Sequence, residues 1–321
     1  MIIVTGGAGF IGSCFVKKLN DEGIKDIIIV DHLGNSEKWK NLVNKKYFDY
    51  IDKHVFIELL ESGRLDELSI EAIFHFGACS VTTEKDADYM MDNNFQYSKI
   101  LAMYSTEHNI KFIYASSAAT YGAGENGYSD SVVQNFIPLN VYGYSKQAFD
   151  EWVEKNNLFK KFVGLKFFNV FGPNEYHKGS MASMVYKSYN QIKNEGKVKL
   201  FKSNSKDYKD GEQMRDFVYV KDVIDIIWEM YQKEITGLYN LGTGKARSWN
   251  DLAKAVFAAM ELEPKIEYVD MPDELKEQYQ NFTEADMKKL KKTKLNIKFN
   301  TLEDNVRDYV SNHLQKRWKN F

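Results

Sequence analysis

The sequence predicts an α/β fold, with a doubly wound parallel sheet in its first part and a smaller α/β lobe at its C-terminal end. Short apolar runs alternate with helical patterns up to about residue 171, and this alternation is typical of parallel strands joined by right-handed crossover helices. Beyond that point the helical segments become longer and the apolar runs shorter. We therefore divide the chain into a domain of residues 1–171 and a lobe of residues 172–321, between which the chain can cross back.

Short apolar runs of the first domain are predicted to be strands, because runs of this length suit the buried strands of a parallel sheet. They occupy residues 1–5, 25–31, 46–52, 72–77, 111–116 and 163–170. Helical periodicity separates these runs, and it is clearest at residues 13–22, 90–107 and 147–155. Each strand is therefore expected to lie next to a helix that covers one face of the sheet.

The C-terminal lobe is predicted to combine longer helices with short strands. The helices are expected at residues 179–194, 221–233, 249–261, 283–291 and 301–317. The strands are expected at residues 198–202, 214–220, 237–241 and 265–269. The stretch 202–213 is polar and is predicted to be a mobile loop.

Composition excludes several classes of protein. The 43 Lys and Arg residues nearly balance the 45 Asp and Glu residues, so the basic excess of a nucleic-acid-binding protein is missing. Cys14 and Cys79 are too few for a disulfide framework or a zinc site. No apolar run reaches the roughly 18 residues of a membrane span, and the N-terminus does not resemble a signal peptide. We therefore expect a cytoplasmic protein with no metal and no nucleic-acid or membrane partner.

A glycine-rich turn at residues 5–12 follows the first strand and opens the first helix. Gly6, Gly9 and Gly12 match the pattern with which a strand–turn–helix unit binds a dinucleotide. Glycines let the backbone approach a pyrophosphate closely, and the helix N-terminus offers free N–H groups and a partial positive charge. The first domain is therefore predicted to bind a nicotinamide dinucleotide and to use it for hydride chemistry.

The end of the second strand bears on the choice between NAD and NADP. Asp31 lies about 20 residues beyond the glycine turn, where an acidic residue normally bonds the ribose 2′-OH of NAD. His32, Lys38 and Lys53 are side chains that can carry positive charge and hold a 2′-phosphate instead. The spacing alone leaves both cofactors open.

A tyrosine and a lysine form the predicted catalytic pair. Tyr142 and Lys146 are four residues apart, which places them on one face of a helix, and Ser117 follows the fifth strand. A phenol is a poor base at neutral pH, but a nearby ammonium favours the phenolate and lowers the phenol pKa. The serine hydroxyl can hold a substrate oxygen while the tyrosine exchanges a proton with it.

These motifs resemble the extended short-chain dehydrogenase/reductase superfamily, whose later arginine-containing motif corresponds to residues 215–222. More specific strings are similar to one family of sugar-nucleotide epimerases, the ADP-L-glycero-D-manno-heptose 6-epimerases. They lie at residues 77–80, 90–94, 115–121, 139–146, 177–183 and 282–286. The resemblance therefore extends over most of the chain.

The resemblance implies a redox-neutral inversion of C6″ of ADP-D-glycero-D-manno-heptose, which supplies heptose for the lipopolysaccharide inner core. Hydride leaves C6″, a transient 6″-ketone forms, and the hydride returns to the opposite face. The family uses two bases for this reaction, which correspond here to Tyr142 and Lys178. It also implies NADP as the usual cofactor, NAD being the alternative, and a homo-oligomer such as a pentamer.

The same resemblance implies the remaining site residues. The catalytic set is Tyr142, Lys178, Lys146 and Ser117. The cofactor set is Gly6, Gly9, Phe10, Ile11, Gly12, Asp31, His32, Lys38, Lys53, Phe76, Gly77, Ala78, Cys79, Ser80, Asn93, Tyr142, Lys146, Val170 and Lys178. The substrate set is Ser117, Asn169, Ser180, Lys187, Phe201, Arg215 and Tyr279. Phe76, Lys187 and the loop 202–213 depart from the family pattern.

Other activities on the same scaffold remain open. A 4-epimerase needs only the tyrosine and leaves the Lys178 motif unexplained, whereas a GDP-heptose epimerase would differ only in the nucleotide. A dehydratase places Asp and Glu after its active-site threonine, but Ala118 and Ala119 follow Ser117 here. A binding protein that has lost catalysis usually lacks the Tyr or the Lys, and both are present. His75 is predicted to be a packed core residue.

Overall fold

The computed structural model describes residues 1–276, 279–316 and 319–321. Its strands, in chain order, are β1 Ile2–Thr5, β2 Ile27–Asp31, β3 Asp49–Asp52, β4 Ala72–His75, β5 Lys111–Ser117, β6 Phe162–Phe167, β7 Asn169–Phe171, β8 Val198–Phe201, β9 Met214–Tyr219, β10 Gly237–Leu241, β11 Ala246–Ser248 and β12 Ile266–Val269. Its helices are α1 Phe10–Asp21, α2 Lys53–Glu61, α3 Ala87–Met90, α4 Tyr97–Glu107, α5 Val141–Lys155, α6 Met184–Glu195, α7 Val220–Gln232, α8 Trp249–Ala259, α9 Asp273–Lys276, α10 Lys288–Lys291 and α11 Leu302–Tyr309.

A parallel sheet of seven strands in the order β10-β6-β5-β4-β1-β2-β3 forms the centre of the fold. The strand order reverses at β1, which lies between β2 and β4. In open parallel sheets the crevice beyond the carboxyl ends of the strands at such a reversal is the usual ligand site. The predicted doubly wound α/β fold is confirmed, and it places the end of β1 at that crevice.

Buried side chains cover both faces of this sheet. Phe15 and Phe74 belong to the core on one face, whereas Phe112 and Phe149 belong to the core on the other. Strands that are buried on both sides need apolar side chains at successive positions rather than alternate ones. The run of isoleucines in β2, all buried, follows from that requirement.

The C-terminal lobe contains two small sheets, and the chain also returns to the main sheet. β11, β9 and β7 form one small sheet, and β12 pairs with β8 in the other. β10 pairs with β6, so one strand of the C-terminal part completes the main sheet. The chain thus crosses back between the two parts, and the division at residue 171 stays a prediction.

Several predicted elements have different bounds in the structure. The run 163–170 splits into β6 and β7, because Phe168 donates its N–H to the Leu241 carbonyl and β7 then pairs with β9. The helix expected at 283–291 is confined to α10, since the Thr283 and Ala285 N–H groups bond to other segments. The helix expected at 301–317 continues from α11 as a π-helical segment over Val310–Leu314, and residue 317 lies outside the described residues.

The helix that carries the predicted catalytic pair begins earlier than expected. α5 starts at Val141 because the Asn140 side chain accepts the Gly143 N–H at 2.9 Å and caps the first turn. Tyr142 and Lys146 therefore lie in the first two turns of a regular helix. α2 and β11 were not predicted from the sequence. No helix in the described ranges is long and apolar enough to cross a membrane.

Candidate active site

A cavity of about 660 Å³ opens at the carboxyl ends of the central strands. It brings together predicted residues from the glycine turn, α5 and the segment before α6. The predicted residues that line it are Gly6, Gly9, Phe10, Ile11, Gly12, Asp31, Lys38, Phe76, Gly77, Ala78, Ser80, Ser117, Tyr142, Lys146, Asn169, Val170, Lys178, Ser180 and Lys187. Residues that are far apart in the chain thus meet at the strand-order reversal.

A smaller cavity of about 170 Å³ shares part of this lining, including Gly6 and Asp31. It adds the remaining residues predicted for the cofactor, which are His32, Lys53, Cys79 and Asn93. All residues predicted to contact the cofactor therefore line one or both cavities.

Three residues predicted to bind the substrate do not line either cavity. Phe201, Arg215 and Tyr279 are absent from the lining of both cavities. The Arg215 guanidinium lies 5.5 Å from the ring centre of Trp249 and 5.1 Å from that of Tyr279. The Trp249 indole lines the larger cavity and donates to the Tyr279 hydroxyl at 2.8 Å. Arg215 and Tyr279 therefore contact a cavity-lining residue, Trp249, that was not predicted from the sequence.

The glycine turn leaves no room for side chains. Gly6 has φ +66°, a left-handed conformation that favours glycine, and a Cβ there would lie 2.6 Å from the Gly77 nitrogen. A Cβ on Gly12 would lie 2.1 Å from the Gly6 carbonyl oxygen. The free N–H groups at the start of α1 thus border an open cradle, and this geometry fits a dinucleotide pyrophosphate.

Asp31 is bonded on both carboxylate oxygens. Oδ2 accepts the Ala8 N–H at 2.9 Å, and Oδ1 accepts Lys38 Nζ at 2.6 Å and the His32 N–H at 2.7 Å. Lys53 Nζ donates to the Asn93 Oδ1 atom at 2.6 Å. Lys38 therefore pairs with Asp31, and Lys53 lines the same smaller cavity, at the place where the ribose end of a dinucleotide is expected.

The predicted catalytic pair, Tyr142 and Lys146, lines the larger cavity, and Lys146 lies one helical turn beyond Tyr142 on α5. The buried Lys146 ammonium donates to the Ala115 carbonyl at 2.9 Å, and burial lowers the pKa of Lys146 to about 8. Burial also raises the pKa of the Tyr142 phenol, which a hydrogen bond with Ser117 offsets only in part. The lowering expected from the lysine is not seen here: the pKa of the phenol lies above its usual value because of burial, so the resting phenol is protonated at neutral pH.

Lys178 lies in a 3₁₀-helical segment, Tyr176–Met181, that precedes α6. Its Nζ donates to the Ser80 Oγ atom at 3.1 Å, and burial lowers the pKa of Lys178, while Glu175 opposes that shift. Nearby, Lys187 Nζ donates to the Ser180 carbonyl at 2.6 Å. A lysine with a lowered pKa is suited to acid–base work near neutral pH.

Two further charged residues, one on α5 and one on β6, were missed by sequence reasoning. Asp150 and Lys166 are fully buried and form an ion pair at 2.8 Å. Asp150 lies one turn beyond Lys146 on the same helix face, and this spacing was the available signal. Asp150 also accepts the Ser116 hydroxyl at 2.6 Å, so the pair joins α5 to the strand end that carries Ser117.

His75 and Phe76 have structural surroundings. As predicted, His75 is a core residue: its ring nitrogens bond the Thr5 hydroxyl at 2.6 Å and the Ser98 hydroxyl at 2.8 Å. Burial lowers the pKa of His75 to about 3, so the ring is neutral. Phe76, where a more polar residue was expected, packs on Phe15 with the ring centres 5.6 Å apart. The described residues include no cluster of His, Cys, Asp and Glu able to hold a metal.

Comparisons with known proteins agree with this architecture. The model of the NAD dependent epimerase/dehydratase family matches residues 2–242. ADP-L-glycero-D-manno-heptose-6-epimerase of Nitratidesulfovibrio vulgaris (strain DP4) is 52% identical over 317 residues, 98% of each chain. The protein of the same name from Fusobacterium nucleatum subsp. nucleatum is 53% identical over 328 aligned positions, again 98% of each.

A solved structure supports the same relationship. The crystal structure of ADP-L-glycero-D-manno-heptose-6-epimerase from Helicobacter pylori superposes with a TM-score of 0.81 at 31% identity. The superposition covers 97% of this chain and 95% of that one. On this evidence the chain belongs to the NAD dependent epimerase/dehydratase family, together with these heptose-6-epimerase relatives.

Proposed function

We propose that this chain is an NADP-dependent enzyme that converts ADP-D-glycero-D-manno-heptose to ADP-L-glycero-D-manno-heptose by inverting C6″, for the supply of lipopolysaccharide inner-core heptose. The observation that carries the proposal is that Tyr142 and Lys178 line one cavity from two different elements, beside the glycine turn. In the two-base mechanism that the family resemblance implies, the C6″ oxygen exchanges its proton in two orientations, one for each face of the carbon. Two separately held proton-transfer groups meet that need, and the names of the relatives support the substrate.

The residues present fit a dinucleotide. A Cβ at Gly6 or Gly12 would collide with neighbouring backbone, so only glycine allows this turn, and the cavity beside the turn continues to Asp31. When bound, the oxidised nicotinamide accepts hydride from C6″ and later returns it. NADP is favoured over NAD because both Asp31 oxygens already have protein donors, and because Lys38 and Lys53 supply positive charge there for a 2′-phosphate.

We assign the separate proton transfers to different side chains around the reacting carbon. Tyr142 exchanges a proton with the C6″ oxygen on one side, and Ser117 donates a hydrogen bond to that oxygen. The Lys146 ammonium, one turn away on α5, stabilises negative charge that develops on the phenol oxygen. Lys178 exchanges the proton when the other face of C6″ is presented.

The proposal extends to the rest of the substrate and to the assembly. Asn169, Ser180 and Lys187 line the cavity and are proposed to contact the sugar. Phe201, Arg215 and Tyr279 are proposed to bind the ADP end, which requires Trp249 to move or to share its position with the nucleotide. We also propose that the enzyme acts as a homo-oligomer in the cytoplasm.

The direct test is incubation of the purified protein with ADP-D-glycero-D-manno-heptose, with inversion at C6″ followed by NMR. We expect inversion with the ADP-heptose, weaker or no inversion with the GDP-heptose, and no C4 inversion of UDP-hexoses. C4 inversion without C6″ inversion would identify a 4-epimerase on the same scaffold. Preference for the GDP-heptose would correct the nucleotide.

The two-base assignment has its own test. We expect Tyr142→Phe and Lys178→Met each to reduce turnover by about 100-fold or more, the range in which a positioned acid–base group contributes. Tyr144→Phe is the matched control, because Tyr144 is exposed and lies two residues from Tyr142 on another face of α5. Normal turnover by Lys178→Met would refute the second base.

Cofactor identity is tested by extracting the bound nucleotide from the purified protein and determining its mass by mass spectrometry. NADP is the expected species, and NAD alone would refute that part of the proposal. A matched measurement uses Lys53→Ala, which should weaken NADP binding by about tenfold while leaving NAD binding nearly unchanged, since a charged hydrogen bond is worth about 1.5–3 kcal/mol.

A further inference from the structure

Glu175 is a buried carboxylate for which the proposed chemistry has no direct use. Glu175 is 1% exposed, and no Lys, Arg or His forms an ion pair with it in the part of the chain that the structure describes. Burial raises the pKa of Glu175, against which several hydrogen bonds act. A buried carboxyl group is costly unless donors satisfy it, so its partners indicate what it holds in place.

The backbone and serine donors to this carboxylate lie at the two ends of one segment, and the Tyr309 side chain on α11 also lowers its pKa. Glu175 Oε1 accepts the Gly172 N–H at 3.2 Å and the Ser183 hydroxyl at 2.7 Å, and Oε2 accepts the Ser183 N–H at 2.5 Å. Gly172 follows β7, and Ser183 is the N-cap of α6. The carboxylate therefore joins the end of a strand to the start of a helix. It closes the base of residues 172–183, which we call the 172–183 loop.

Lys178 lies inside this closed loop. Its backbone N–H donates to the Glu175 carbonyl at 2.9 Å, and its ammonium reaches the Ser80 hydroxyl across the cavity wall. The other side of the loop is attached to the glycine-turn region, since the Asn174 side chain donates to the Ser13 hydroxyl at 2.9 Å. The Glu175 carboxylate is thus one of several contacts that hold the loop around Lys178, and it is the contact that closes the base of the loop.

We propose that Glu175 is the positioning residue for Lys178, because its carboxylate closes the 172–183 loop and so holds the lysine in the cavity that also contains Tyr142. This inference rests on the proposed function, in which Lys178 serves one face of C6″. It predicts that losing the carboxylate impairs one direction of hydride removal more than the other. Epimer A is the heptose epimer whose oxidation Lys178→Met slows, and epimer B is the other.

Glu175→Gln is the informative substitution. The side chains have nearly the same volume, but an amide presents one acceptor oxygen and one NH₂ group, so it cannot accept at both positions. Asp130→Asn is the matched control. Asp130 is also a buried carboxylate and accepts the Asn240 N–H at 2.7 Å, but it lies away from the 172–183 loop and from both cavities described above.

Single-turnover reduction of the bound nicotinamide, followed by its absorbance with each epimer separately, is the decisive assay. Glu175→Gln should slow the reaction with epimer A by about 100-fold, the loss that a 1 Å misplacement causes, and leave epimer B nearly unchanged. Asp130→Asn should keep both rates close to those of the wild type. Equal slowing of both epimers by Glu175→Gln, or no slowing, would overturn the inference, whereas a wild-type protein inactive on both epimers would contradict the proposed function.

A second measurement does not depend on the substrate. Reductive methylation of Lys178, quantified by peptide mass spectrometry, should proceed several-fold faster in Glu175→Gln than in the wild type, because the loosened loop exposes the amine. Asp130→Asn should not change that rate. If Glu175→Gln does not fold, Ser183→Ala removes the serine hydroxyl donor and should produce the same changes to a smaller extent. Unchanged methylation in that variant would overturn the proposal.

Discussion

The Asp150–Lys166 pair allows a stability prediction whose size follows from its surroundings. Both side chains are 0% exposed, and their charged atoms are 2.8 Å apart. Lys166 also donates to the Thr120 hydroxyl at 2.6 Å, while Asp150 accepts from the hydroxyls of Tyr114 and Ser116. Water does not reach either charge, so removing one partner leaves the other charge buried without its counter-charge.

Lys166→Met is the first perturbation. It leaves the Asp150 carboxylate buried with only two hydroxyl donors, and breaking a buried pair in this way costs about 3–5 kcal/mol. Such a loss is a large part of the roughly 5–15 kcal/mol by which a domain is stable. Asp150→Asn should reduce the free energy of unfolding by a similar amount, because it leaves the buried Lys166 ammonium without its counter-charge.

The double variant Asp150→Asn/Lys166→Met should be more stable than the sum of the single losses indicates. With both charges gone, the Asn carbonyl still accepts from a hydroxyl, and we expect a total loss of about 1–3 kcal/mol, the cost of imperfectly satisfied polar groups. The difference from additivity is the coupling energy of the pair.

Urea unfolding, monitored by both fluorescence and circular dichroism, measures these losses from the midpoint at unchanged slope. Agreement of the two probes checks that a single transition is observed. The reasoning would be refuted if either single variant lost less than about 1 kcal/mol, a value usual for exposed pairs, or if the two losses simply added in the double variant.

Three other predictions concern the site and its pH dependence. Gly12→Ala should abolish dinucleotide binding in an equilibrium titration, because its Cβ would lie 2.1 Å from the Gly6 carbonyl oxygen; binding at wild-type affinity would contradict the cradle. Turnover should fall as pH rises through about 8, where Lys146 loses its charge, and an alkaline limb that starts above pH 10 would contradict this role. His75, with its pKa lowered to about 3, should contribute a loss of up to about 1.4 kcal/mol per pH unit as the pH falls below 6.5, since only the unfolded ring takes up the proton. Urea unfolding should show a shallower acid loss in His75→Gln, by this contribution, and an unchanged slope would contradict it.

Secondary structure was predictable where burial alone shapes the pattern. The buried apolar residues of β1, β2 and β4 appear in the sequence as short runs, because a central parallel strand is covered on both faces. The run that contains β6 and β7 was predicted as one strand. An apolar run indicates burial but does not indicate which strand lies beside it. The change of pairing at Phe168, from the main sheet for β6 to β9 for β7, depends on tertiary structure.

The candidate site was predictable to a similar degree. The residues expected around the cofactor line the two cavities, whereas three residues expected at the substrate, Phe201, Arg215 and Tyr279, do not. Glu175 escaped notice because an isolated glutamate in a loop normally indicates solvent exposure. Only the packing of β7 against α6 turns it into a buried bridge.

The sequence by itself determined the features whose geometry follows from short spacing along the chain. The glycine turn after β1 and the one-turn separation of Tyr142 and Lys146 are local, because backbone dihedrals and helical pitch fix them whatever the rest of the chain does. The tertiary structure alone decided that Lys38 bonds Asp31 in the folded state and that Lys178 reaches Ser80. It also decided the raised pKa of the Tyr142 phenol, since that depends on how completely neighbouring segments exclude water.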